Sequence, residues 1–284
     1  MKKLLLALAC ASLITACHSD GDNKPSAKQE TQAFNSAIAG VLAGDWRSPE
    51  NRARDKYRHP QETLNFFGVK PGHTVVEITP GGGWYTEVLA PLVKEKGRYF
   101  GTVTDPAKTS SDASRDYNAN QNKALRDKMA ARADVYGNAS LIEINPKAPV
   151  IGESGTADVV LTFRNVHNWM GAGTQAEMFE AFFEVLKPGG TLGVVEHRAK
   201  DDVPKGDKTG YVSEAQVIAM ALAAGFTLDA RSEVNANPKD TKDYANGVWT
   251  LPPNLREGEK DRAKYLAGLC RRICVKAKKT ALNI

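Results

Sequence analysis

The chain has 284 residues, of which 42% are hydrophobic and 25% charged, so general disorder is excluded and a sizeable core can form. Its 38 basic and 33 acidic side chains leave a formal charge of +5, too mild to demand a nucleic acid or an anionic membrane surface as partner. Four cysteines are too few for a disulfide scaffold.

Lys2 and Lys3 precede an apolar run from Leu4 to Ile14, followed by Thr15-Ala16-Cys17. A basic start, a short apolar stretch and small residues before a cleavage point describe a secretory signal, and the run is too short to span a bilayer. The stretch Leu13-Ile14-Thr15-Ala16-Cys17 resembles the bacterial lipobox, which implies cleavage after Ala16 and lipidation of Cys17. A plain signal peptide with Cys17 incidental is the alternative. Removing Lys2 and Lys3 takes the balance from +5 to +3. His18 follows the cysteine in place of Asp, as in the class sorted to the outer membrane of a Gram-negative cell. The expected location is the bacterial cell envelope, lipid-anchored on its periplasmic side. Residues 1–16 then form the signal and 17–33 a lipidated flexible tether, polar and containing Gly, Pro and Ser. Residues 34–284 form one domain, with a helical extension over 34–68 and a core over 69–284.

In the extension, Phe34, Ile38, Val41 and Leu42 recur at helical spacing. Ser48-Pro49 is an N-cap followed by proline at the first helical position. Pro60 opens a further helix that Gly68 closes. From His73 the chain alternates. Strands are predicted over 73–78, 98–104, 139–144, 157–163, 191–196, 226–234 and 272–276. Helices are predicted over 84–96, 114–131, 175–186 and 213–224. Such alternation predicts an α/β, Rossmann-like three-layer sandwich, with a mostly parallel seven-stranded sheet between helices. Ligands in such folds bind beyond the carboxyl ends of the strands. That points to 77–83, Asp105, 163–167 and 196–198.

Glu77-Ile78-Thr79-Pro80-Gly81-Gly82-Gly83 places a carboxylate at the end of the first strand, before a glycine-rich turn into a helix. Glycines let backbone approach a ligand closely, and the helix start offers free N–H groups. The dinucleotide pattern Gly-x-Gly-x-x-Gly is absent, since Glu87 stands where its last glycine would fall if Gly82 opened it. A Rossmann oxidoreductase is therefore disfavoured. No Gly-x-Ser-x-Gly elbow of a hydrolase occurs, and no histidine or cysteine spacing suits a metal.

Glu77, Gly81 and Gly83 match the first motif of the class I S-adenosylmethionine-dependent methyltransferases, which the chain resembles. Thr79 replaces that motif's first glycine. Asp105 falls where the family places the acid that holds the ribose hydroxyls. Asn145 stands in the region of the acid near the adenine. Ala157-Asp158-Val159-Val160-Leu161 and Leu186-Lys187-Pro188-Gly189-Gly190 match the approach to strands four and five. Arg58-His59-Pro60, Phe163-Arg164-Asn165-Val166-His167 and Glu196-His197-Arg198 look like a bacterial subgroup of predicted methyltransferases, many of them secreted or lipoprotein-like. The resemblance implies S-adenosylmethionine as methyl donor, bound by Glu77, Gly81, Gly82, Gly83, Tyr85, Asp105, Asn145, Phe163 and Arg164. The expected acceptor is a small molecule.

His167 is the first choice for a base or substrate orienter, followed by Asn165 and His197; a histidine bonded to loop backbone is the alternative for His167. Glu196 is read as the end of its strand. Arg58, His59, Arg164 and Asn165 suit a polar or anionic substrate, with surface ion pairing as the alternative for each. Cys270 and Cys274, if on a strand, lie about 13 Å apart and do not bridge. The basic tail of Arg271, Arg272, Lys276, Lys278 and Lys279 is expected to protect an edge strand or its solvated end. A non-catalytic envelope lipoprotein that keeps this fold and binds another small ligand is the second functional reading. For the anchor, Cys17→Ser is expected to release the protein from the membrane fraction. Unchanged fractionation would refute lipidation.

Overall fold

The computed structural model describes residues 26–252, 254–258, 262–267 and 272–280. The signal, Cys17, the first part of the tether, Cys270 and Arg271 lie outside the described residues. No described helix is long and apolar enough to cross a membrane.

The extension contains α1 (Ala27–Leu42), α2 (Pro49–Arg52), α3 (Asp55–Arg58) and α4 (Pro60–Phe67). The tether was expected to run to residue 33, but α1 begins at Ala27. Ser26 and Gln29 form a reciprocal capping box, with Gln29 N donating to Ser26 Oγ and Ser26 N to Gln29 Oε1. Two orphan donors are thereby satisfied before any apolar side chain is needed. Phe34, Ile38 and Val41 then form the buried stripe.

The strands are β1 (Thr74–Ile78), β2 (Arg98–Thr104), β3 (Ala139–Ile144), β4 (Ala157–Phe163), β5 (Leu186–His197), β6 (Phe226–Ser232) and β7 (Arg272–Lys279). Between them lie α5 (Thr86–Val93), α6 (Asp112–Ala131), α7 (Ala133–Tyr136), α8 (Val166–Ala172), α9 (Gln175–Val185) and α10 (Glu214–Ala223), with α11 (Arg262–Ala267) before β7. One seven-stranded sheet has the order β3-β2-β1-β4-β5-β7-β6. The first five strands pair in parallel, and β7 runs antiparallel to both of its neighbours. The basic C-terminal segment is thus an interior strand, which corrects the edge-strand expectation. Its Ile273, Cys274 and Val275 are buried, and Cys274 is a free thiol.

Alternate side chains of each strand face opposite layers. Val76, Val160, Leu192 and Val194 pack with α9 and α10 through Met178, Phe179, Phe182 and Val217. Val75, Val159, Leu161 and Val195 pack against the other layer, where Phe34 and Ile38 of α1, Phe67 of α4 and Leu89 of α5 meet them. The expected three-layer sandwich is therefore present. The extension forms part of its second layer.

One contact fixes that layer. A Cβ on Gly193 of β5 would come within 2.6 Å of Leu161 Cδ2 and 2.7 Å of Phe67 Cδ1. Overpacking of a closed core costs typically 1–3 kcal/mol. Gly193→Ala is therefore expected to lower unfolding stability by about 2 kcal/mol in urea titration, and trimming the obstructing ring with Phe67→Leu is expected to recover part of that loss.

Candidate active site

The carboxyl ends of β1, β4 and β5 open onto one cleft of about 610 Å3. Its floor includes Glu77, the Thr79–Gly82 turn and Tyr85, and its wall includes Phe163, Arg164, Asn165, His167 and His197.

The turn after β1 contains three left-handed residues: Thr79 at φ 52°, Gly81 at 58° and Gly83 at 76°. A β-branched residue there is strained by roughly 1–3 kcal/mol. Thr79 thus adopts the backbone conformation that suits the glycine it replaces. A Cβ on Gly81 or Gly82 would meet nothing, so that backbone is open to a ligand. Gly83 is required for a different reason: besides its positive φ, a Cβ would lie 2.7 Å from Leu125 Cδ1 of α6. The helix was expected from Trp84; Trp84 and Tyr85 belong to the turn instead, and α5 starts at Thr86.

Trp84 ties the turn to the extension. Its Nε1 donates to Asn51 O at 2.9 Å, and Arg47 and Arg58 lie 5.3 and 4.4 Å from its ring centroid. Glu87, on the first turn of α5, is buried and accepts from Asn51 Nδ2 at 2.9 Å and from Lys128 Nζ. Arg47 Nε lies 3.8 Å from its other oxygen. Trp46 Nε1 donates to its carbonyl at 2.9 Å.

Glu77 is buried and accepts from Tyr99 Oη at 2.6 Å and Thr86 Oγ1 at 3.1 Å. Both bonds go to Oε2, which leaves Oε1 for a ligand. Burial pushes its carboxyl up to about 7, against the downward pull of those two bonds. A cationic group in the cleft would favour its ionised form.

At the end of β5, Glu196 is fully buried and does more than end its strand. Its Oε1 lies 3.1 Å from His167 Nδ1, and its Oε2 accepts from His167 N at 3.4 Å. With Nδ1–H donating to this carboxylate, the lone pair of the ring resides on Nε2. That nitrogen is buried and has no partner. His167 sits on the first turn of α8, with the Trp249 ring edge-on at 5.5 Å. A second cavity of about 420 Å3, lined in part by Met170, Val203, Tyr211 and Met220, also borders His167. His197 lies beside it, the ring centroids 5.9 Å apart. Burial, followed by the nearby Arg164 and Arg272, holds His197 well below its ordinary range, so it is neutral at pH 7.

Asn165 is buried and donates to Ile78 O at 2.9 Å and Thr162 Oγ1 at 3.1 Å. It locks the ends of β1 and β4 together while lining the cleft. Tyr85 and Phe163 stack at 3.5 Å between centroids with planes 10° apart. Three expected cofactor residues are not part of the cleft lining. Gly83 packs against α6. Asp105 Oδ1 caps a short 3-10 turn (Pro106–Lys108), accepting from Ala107 N at 2.8 Å. Asn145 Oδ1 accepts from Lys147 N at 3.1 Å. Their neighbours Thr104 and Pro146 line the cleft, as do Tyr117 and Asn118 of α6, which no sequence motif marked. His59 turns the chain between α3 and α4 at φ 41° and stays outside the lining.

No protein-family model matches the sequence, and no curated protein does. Solved structures do resemble it. A S-adenosylmethionine-dependent methyltransferase from Aquifex aeolicus matches with a TM-score of 0.54 at 16% identity, over 88% of this chain and 98% of that one. A geranyl diphosphate methyltransferase solved in complex with S-adenosylmethionine matches at 0.52 and 12%, over 85% and 95%. The [4+2]-cyclase SpnF matches at 0.55 and 15%, over 90% and 98%. At such identities the likeness establishes architecture: the chain has the Rossmann-like fold of the class I methyltransferases.

The raised carboxyl of Glu77 gives the site a pH signature. The folded state binds this proton more tightly than an unfolded chain with its ordinary value of 4.5. Stability from this group is therefore fully present below pH 4.5 and declines as pH rises towards 7, by on the order of 3 kcal/mol. Glu77→Gln removes that dependence. Unfolding free energies at pH 5 and pH 8 are expected to show the variant gaining on the wild type as pH rises; parallel profiles would refute the buried-charge assignment.

Proposed function

We propose that the protein is a S-adenosylmethionine-dependent methyltransferase that acts on a hydroxyl or amine of a small molecule. We further propose that it works from the bacterial cell envelope, held on the periplasmic side by lipid on Cys17, within the secreted or lipoprotein-like subgroup that its motifs resemble. One observation carries the catalytic reading. A glycine turn open to a ligand, an ionisable Glu77 beneath it and a Glu196-oriented His167 face the same cleft.

The donor supplies a methyl carbon on a sulfonium: the acceptor's lone pair bonds that carbon while the carbon–sulfur bond breaks and its electrons stay on sulfur. The protein's part is positioning and proton management. Glu77 would hold the ammonium of the donor's amino-acid end, and the open backbone at Gly81 and Gly82 would let the turn approach it. His167 Nε2 takes the acceptor's proton as its nucleophile attacks. Glu196 keeps Nδ1 protonated and stabilises the imidazolium that results. His197, neutral, carries no competing proton into the cleft.

The non-catalytic reading is favoured by one observation. Asp105 and Asn145 hold local turns with the oxygens expected to grip the donor's nucleoside. Calorimetry separates the two. S-adenosylmethionine and S-adenosylhomocysteine are expected to bind the purified protein, and His167→Asn to leave those affinities unchanged while lowering turnover about 100-fold or more. No heat with either ligand overturns the methyltransferase reading. Binding without turnover across a panel of hydroxylated and aminated metabolites favours the non-catalytic one.

A further inference from the structure

Four arginines gather at the cleft and the recess beside it. Arg54 precedes α3 and Arg58 ends it; Arg164 follows β4 in a left-handed conformation at φ 66°, and Arg272 opens β7. Arg54, Arg58 and Arg164 line the cleft. Arg58, Arg164 and Arg272 also line a small recess beside it, against Tyr85, Phe163 and Asn235. Among the described residues, none of the four forms an ion pair.

The chain pairs a buried guanidinium where its role is structural. Arg47, 1% exposed, makes two 2.7 Å bonds to the two oxygens of Asp55. Arg58 is 5% exposed and has no such partner; its Nη2 is buried and unbonded. Arg272 is 6% exposed, donates from Nη1 to Tyr57 O at 3.1 Å and leaves Nε unbonded. The Trp84 ring, 4.4 Å from Arg58, answers only part of that charge. The neighbouring carboxylates hydrogen-bond elsewhere: Glu87 to Asn51 and Lys128, Glu196 to His167, and Glu77, which attracts Arg58 without pairing with it, to Tyr99 and Thr86. Burial and mutual repulsion pull Arg164 down to about 10, which still leaves it charged at neutral pH. Four cations held together, two of them buried with unsatisfied donors, are costly unless an anion completes them.

We propose that Arg54, Arg58, Arg164 and Arg272 form an oxyanion subsite that recognises a carboxylate or phosphate monoester on the methyl acceptor. The inference rests on the methyltransferase reading and narrows its substrate class. Guanidinium forks match both groups bidentately. An acceptor held there by its anionic group shares the cleft with His167, which receives the proton of its nucleophile.

The same chemistry would suit the carboxylate of the donor, so the test separates the two sources. Inorganic phosphate and acetate are titrated into the full chain by calorimetry at low ionic strength, with and without saturating S-adenosylhomocysteine, and against chloride at equal ionic strength. Phosphate is expected to bind more tightly than chloride, with an affinity that S-adenosylhomocysteine does not reduce. Arg58→Gln and the partly exposed Arg54→Gln are each expected to weaken it about tenfold, the loss of one charge-assisted contact. The second variant guards against misfolding of the first. The affinity ratio of S-adenosylhomocysteine to methylthioadenosine is expected to survive both substitutions. Phosphate and acetate binding no better than chloride, unchanged affinity in both variants, or displacement by S-adenosylhomocysteine would each overturn the subsite. Phosphate binding without any S-adenosylhomocysteine binding would instead overturn the methyltransferase reading.

Discussion

Glu87 is the carboxylate on which the cleft depends. It is 1% exposed, and a buried carboxylate left alone would be costly. Its three partners arrive from two places: Arg47 and Asn51 from the extension, and Lys128 from α6. Their meeting fixes the first turn of α5, and hence the glycine turn that precedes it. It also fixes the segment that carries Arg54 and Arg58. Trp84 repeats the link from the turn's side through Asn51 O. A single buried carboxylate therefore joins the glycine turn to the segment that carries Arg54 and Arg58. The extension belongs to the site as much as to the second layer of the core.

Within the cleft, burial assigns opposite tasks to similar groups. Glu77 and Glu196 both end strands and both are buried, yet their surroundings differ. Glu77 faces two hydroxyls and titrates near neutrality, so it responds to a cationic ligand. Glu196 faces an imidazole and backbone N–H groups, and acts through His167. The two histidines divide in the same way. His167 has a carboxylate behind it, whereas His197 has arginines beside it and stays neutral. The same two residue types thus meet two different surroundings within one cleft.

The strand and helix alternation, the glycine turn and the position of Glu77 near the end of the first strand were legible in the sequence because each is a local pattern of periodicity or spacing. What the sequence did not show divides between short local bonds and contacts between distant segments. The first turns of α1 are polar, and only the Ser26–Gln29 box marks their start. Asp105 and Asn145 carry the right residue types at the right strand ends, but neighbouring backbone N–H groups take an oxygen of each. Nothing in the spacing of Arg54, Arg58, Arg164 and Arg272 announces that they meet. Their convergence follows from sheet order, with β7 placed beside β5. The role of Glu196 was hidden for the same reason, since its partner lies 29 residues upstream.

The placement of β7 has a consequence for the order in which the molecule takes shape. The last strand enters between β5 and β6, matching Arg272 to His197 and Lys278 to Thr191. Chains emerge from synthesis amino end first, and pairings between distant segments form late. The glycine turn and the five parallel strands can therefore assemble while β6 still lacks its neighbour. The final cation of the arginine cluster arrives with the closing strand. A chain stopped short of Arg272 would retain the glycine turn but lack one cation of the four-arginine cluster, so completion of the sheet and completion of that cluster are a single event.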